Sequence, residues 1–149
     1  MKKVGISIAA VLIVAVFAVI FVLGTHNYRL LWSKVNDMRS IIKSYENIEL
    51  IETKSVYGKL VGSGNGINFF GAALIRAESE DEVMEICQKL KEKFDISEYS
   101  LQTEKEIKTK YLEHRKLSFD HDFGEEDNIY LVFFFDSDKR ANLMDLNGH

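Results

Sequence analysis

Between Val4 and Gly24 the chain places twenty-one residues without a charged side chain, Ser7 being the only clearly polar one. A helix rising about 1.5 Å per residue crosses a hydrocarbon core of about 30 Å in about 20 residues. A continuous helix also satisfies every backbone amide internally, as lipid requires. The run therefore predicts a transmembrane anchor over 4–24, behind a basic tail of residues 1–3, with Val4, Leu12, Phe17, Phe21 and Leu23 among its anchoring side chains.

The pattern then changes. Tyr28, Leu31, Val35, Met38, Ile42 and Tyr45 recur at alternating spacings of three and four, with polar Ser33, Asn36, Asp37, Lys43 and Ser44 between them. That rhythm predicts a juxtamembrane amphipathic helix over 25–47. Two readings of its apolar stripe are open. Leu31, Val35, Met38, Ile42 and Tyr45 form a seam between two chains in a coiled-coil homodimer, or the helix lays the same stripe on its own domain. The seam predicts that Met38→Lys abolishes crosslinking between chains and leaves the domain folded. Tyr28 and Trp32, four apart, share one helical face, with Arg29 and Lys34 beside them, and fit the aromatic and basic belt of a membrane surface.

Beyond the helix the period shifts toward two. Ile48–Val61 and Ile67–Ala77 are strand-like and flank Gly62-Ser63-Gly64-Asn65-Gly66, whose Asn-Gly pair is a strong hairpin signal. Those glycines precede a strand and not a helix, and no Lys-Ser/Thr pair follows, so they make no phosphate-binding loop. Ser79 with Glu82 predicts a capping box opening a helix that runs to about Phe94, with acids early and Lys89, Lys91 and Lys93 late. A strand is expected over 98–103, a short helix over 104–114 and a strand over 116–119. Ile129–Phe135 is uniformly apolar and predicts a central strand covered on both faces. A last short strand is expected over 141–146.

The expected architecture is α+β: one transmembrane helix, a juxtamembrane helix, then a single domain over 48–149. In that domain a small antiparallel sheet carries one helix on a face and buries Phe69, Leu74, Leu90, Leu131 and Phe133 together.

Charge narrows the partners. Beyond Lys2 and Lys3, 17 basic residues face 23 acidic ones, a net charge of −6. That excess argues against nucleic acid and against tight adhesion of the domain as a whole to anionic lipid. The lipid bilayer and a protein partner or second copy remain. Cys87 is the only cysteine, which excludes an internal disulfide, and its place in the helix pattern is that of a small buried hydrophobe. Five carboxylates and His121 crowd residues 120–128, but Gly124 and Leu131 break the calcium-loop pattern, so the segment reads as a solvated hairpin loop. His26, His114, His121 and His149 lack metal-ligand spacing, and no nucleophile elbow is present. Neither enzyme nor cofactor is expected.

The outline of basic leader, apolar helix, amphipathic helix and small β-rich domain resembles that of type IV pilins. Lys3-Val4-Gly5 before Ile6 is similar to a prepilin processing site, which implies a structural subunit assembling through its first helix. The chain departs from that pattern at Ala10, where pilins carry glutamate. A third possibility is a signal peptide, with Lys2 and Lys3 as its basic start and cleavage before Thr25, leaving a secreted domain. The long apolar run favours the uncleaved anchor. The short basic tail favours a domain on the outer side, as an interaction or binding module of the cell envelope.

Overall fold

The computed structural model describes residues 2–62, 66–124 and 128–141, the side chains of 2–9 and of Leu23 excepted. Its first element, α1 (Lys2–Ile42), is one helix of 41 residues, so the two helices expected on either side of Gly24 are continuous. The chain contains no proline, and a lone glycine costs a helix only about 1 kcal/mol, which leaves nothing here to force a break. The helix ends at Ile42 and not near Asn47. Its carboxy-terminal stretch is wound off by hydrogen bonds from Ser44 N to the Ile41 carbonyl and from Tyr45 N to the Ile42 carbonyl.

Four antiparallel strands follow: β1 (Glu49–Gly58), β2 (Asn68–Arg76), β3 (Ile96–Leu101) and β4 (Ile129–Asp136), in the order β1-β2-β4-β3. The expected β1–β2 pair is present, running from Glu49 opposite Arg76 to Gly58 opposite Asn68. Gly58 and Gly62 supply positive φ, at 138° and 60°, where the chain leaves β1. Most of the Gly62–Gly66 turn lies outside the described residues. Between β2 and β3, α2 (Glu80–Lys91) starts at Ser79, whose hydroxyl accepts from Asp81 N at 3.2 Å. Glu82 accepts from the Asn47 amide at 3.3 Å, so it ties α2 to the α1–β1 turn.

All eight residues of β4 are buried, as expected of a central strand. Successive side chains of a strand point to opposite faces, and this divides the core in two. On one face Phe69, Ala73, Ile75, Val132 and Phe134 pack with both α1 and α2. On the other, Phe70, Leu74, Leu131, Phe133 and Phe135 pack with Leu60, Ile107, Leu112 and Phe119. Two helices therefore cover one face where one was expected, and Phe69 and Leu90 lie opposite Leu74, Leu131 and Phe133 instead of beside them. Packing between the central strands is close. A Cβ on Gly71 would stand 2.3 Å from the Phe134 ring, which itself stacks on Phe94 at 4.2 Å.

The second face is covered without regular structure. The helix expected over 104–114 reduces to a 3₁₀ turn at Lys110–Leu112, and the strand over 116–119 reduces to one bridge between Glu106 and Ser118. Ile107, Leu112 and Phe119 supply the apolar contacts at spacings that fit neither a helix nor a strand. The Gln102 amide orders the loop by donating to the carbonyls of Glu104 (2.6 Å) and Glu106 (3.0 Å). β3 covers 96–101, two residues earlier than expected. The last strand, apart from Ala141, lies outside the described residues.

Candidate functional site

The helix α1 divides lengthwise into two kinds of surface. From Val11 to Val22 ten large apolar side chains stand in the open, between 54% and 70% exposed. Leu12, Phe17 and Phe21 of the expected anchor are among them, whereas the side chains of Val4 and Leu23 lie outside the described residues. The stretch of α1 from Ala10 onward is long and apolar enough to cross a membrane. Covering a Val, Leu, Ile or Phe side chain is worth about 1.5–3 kcal/mol, so ten represent about 15–30 kcal/mol. That matches or exceeds the whole stability of an ordinary domain, about 5–15 kcal/mol. Left in water, such a surface would dominate the behaviour of the chain.

Farther along, the helix turns one face inward. Leu31, Val35, Met38 and Ile42 are each less than 7% exposed and belong to the helical core, with Tyr45 packed at its edge. The stripe is used within the chain. A seam between two chains needs these side chains free, and the sheet already holds them. Tyr28 and Trp32, each 61% exposed, point away from the domain, and Arg29 is exposed beside them.

Two polar residues of α1, Asn27 and Lys34, are also buried on the inward face. Lys34 is 8% exposed, and its ammonium donates to the Asp136 carboxylate at the end of β4 and stands 3.0 Å from Asp138. The same nitrogen lies 5.5 Å from the centre of the Phe69 ring and 5.9 Å from that of Phe94, within cation–π range. Around it the turn after β4 is tightly bonded. Asp136 accepts from Asp95 N at 3.3 Å, and Asp95 accepts from the amide (2.9 Å) and hydroxyl (2.7 Å) of Ser137. Arg140 forks onto Asp138 through Nε (2.9 Å) and an Nη (2.6 Å), while its carbonyl meets the His26 ring at 2.8 Å.

The electrostatics follow from this geometry. Arg140, then Lys34, holds the Asp138 carboxyl well below the ordinary range. The Ser137 hydroxyl and amide lower that of Asp95. The cluster is a charged latch that clamps the sheet end and its following turn to the middle of α1. A cleft of about 310 Å³ opens beside it, lined by Ser33, Asp37, Lys93, Phe94 and Arg140. The latch is not evident from the sequence, since its partners lie far apart along the chain. The available signal was that Lys34 falls on the same helical face as Leu31, Val35 and Met38.

The remaining polar candidates have structural roles. Glu52 accepts from the amides of Asp120 (2.9 Å) and His121 (3.1 Å), Lys54 pairs with Asp120 at 2.6 Å, and Lys105 pairs with Asp122. Residues 125–127 of that acidic loop lie outside the described residues, and among the described residues no cluster of metal-ligating groups occurs. Cys87 is buried, and burial pushes its thiol up to about 11, the behaviour of a packing residue and not of a nucleophile. Comparison with protein families, with curated proteins and with solved structures gives no match to this chain.

Proposed function

We propose that this chain is a single-pass membrane-anchored protein whose α+β domain serves as an interaction or binding module at the cell envelope. The carrying observation is the ten-residue exposed apolar surface of α1, continuous in one helix with the stripe that enters the domain core. A bilayer covers all sides of such a helix at once, and the helix satisfies its own backbone there. Tyr28, Arg29 and Trp32 then stand where headgroups meet water. The sheet and its two covering layers form the presented part, and the Lys34 latch fixes how that part is carried.

The test is extraction of membranes with alkaline carbonate, followed by protease shaving of intact cells bearing a carboxy-terminal tag. Retention of the full-length chain in the carbonate pellet, with loss of the tag on shaving, is the expected result. A shortened chain free in the medium would overturn the anchor in favour of a cleaved signal. A tag protected in intact cells would place the module on the cytoplasmic side.

A further inference from the structure

Net charge conceals how the charges are arranged. The latch defines which end of the sheet points back along α1 toward its apolar half, since Asn47, Arg39, Lys34 and His26 bond in turn to Glu82, Thr53, Asp136 and Arg140. That end comprises the turn after β4 and the exit from β1. It also takes in the 110–116 segment, because His114 N donates to the Leu60 carbonyl at 3.2 Å and the His114 ring meets the Gly62 carbonyl at 3.1 Å.

Exposed there are Arg115, Lys116, Lys139 and Arg140, with Arg29 on the adjoining helix. Of the carboxylates at the same end, Glu113, Asp95 and Asp138 are engaged within the chain, while Glu92, just past α2, is exposed between Lys91 and Lys93. Glu113 accepts from Gly62 N at 3.0 Å, Asp95 is bonded to Ser137, and Asp138 is held by Arg140 and Lys34. The opposite end carries Glu46, Glu78 and Asp81, all exposed, with Glu49 paired to Arg76, Glu80 accepting from the Tyr99 hydroxyl and Lys43 the exposed cation nearby. An open cleft of about 460 Å³ along 106–116 is lined by His114, Arg115, Lys116 and Lys108, the last paired with Glu104 at 2.6 Å, together with Glu106 and the engaged Glu113.

Distance completes the case. His26, whose ring touches the Arg140 carbonyl, lies two positions beyond Gly24, about 3 Å along a helix axis. The headgroup layer of one leaflet is about 5–7 Å deep, so the basic end of the domain reaches it without any change of shape. We propose that this end is a docking surface for anionic lipid headgroups, which seats the domain on the bilayer with its acidic end turned outward. The proposal rests on the membrane-anchored reading of α1 and adds to it a second, electrostatic contact between domain and lipid.

The full chain is reconstituted into vesicles of phosphatidylcholine, with or without phosphatidylglycerol. A fluorophore is attached at Lys110→Cys on the basic end or at Ser44→Cys on the acidic end, Cys87 being buried. Headgroup-attached quencher then reports how close each label sits. In anionic vesicles the Lys110→Cys label should be quenched several-fold more than the Ser44→Cys label. The excess should fall several-fold in neutral vesicles, and again as salt rises from about 0.1 M to about 1 M, since the Debye length shrinks from about 10 Å to about 3 Å. Arg115→Glu with Lys116→Glu should lower it likewise. Quenching at Lys110→Cys that ignores both lipid charge and salt overturns the docking surface, whether or not the double variant folds. Failure of the protein to float with vesicles of either composition would overturn the anchor itself, a separate result.

Discussion

A buried lysine is tolerable only when its charge is answered, and Lys34 is answered by Asp136, Asp138 and two aromatic faces. Its value is in specifying one arrangement, because a buried ion pair contributes little net stability against an apolar replacement of both partners. Removing one partner is different, since it strands the other. Lys34→Met should destabilise the domain by about 3–5 kcal/mol, with Lys34→Met/Asp136→Asn recovering part of that loss, as read by denaturant melts of the solubilised chain. Additive losses in the double variant would show that the two groups are not coupled. Nothing in composition reveals this pair, because Lys34 and Asp136 stand 102 positions apart. Only the helical phase of Lys34 among Leu31, Val35 and Met38 hints at it.

The elements divide by how much of their pattern is local. The β1–β2 pair, α2 with its Ser79 cap, and the apolar run Ile129–Phe135 of β4 are all legible in the sequence, because each has a period or a punctuation of its own. The 102–123 layer is not, since its apolar residues answer to the shape of the sheet face and not to any repeat. The stripe on α1 is legible as a stripe, but its occupant is not, because a heptad rhythm serves a partner helix and a sheet face alike. Burial decides this. Met38 is fully buried, so Met38→Lys would place an unpaired charge in the core and should unfold the domain. Limited proteolysis checks it: a variant as resistant as the parent would restore the seam between chains.

At the scale of the whole molecule, the carboxylates that join sheet to helix make the assembly acid-sensitive. Asp138 and Asp95 titrate lower when folded than when unfolded. Their contribution is therefore complete above the unfolded value of about 3.9 and is lost as pH falls through it toward the folded values. Thermal melts between neutral pH and about pH 3 should show the midpoint falling, with Asp138→Asn lower at neutral pH and flatter below about pH 4. Equal slopes for the two proteins would remove Asp138 from the account. Asp120 and Asp122 are also lowered, by Lys54 and Lys105 respectively, but their exposed pairs are screened and matter less.

The unbroken course of α1 through 41 residues, about 60 Å of rod, has a mechanical meaning. A jointed anchor would absorb any rocking of its lower half, whereas a rigid one works as a lever. Helices meet a thicker or thinner bilayer by changing tilt. On the membrane-anchored reading, each such change swings the entire sheet through the same angle. The bearing of the domain over the surface then reports the thickness of the lipid beneath it.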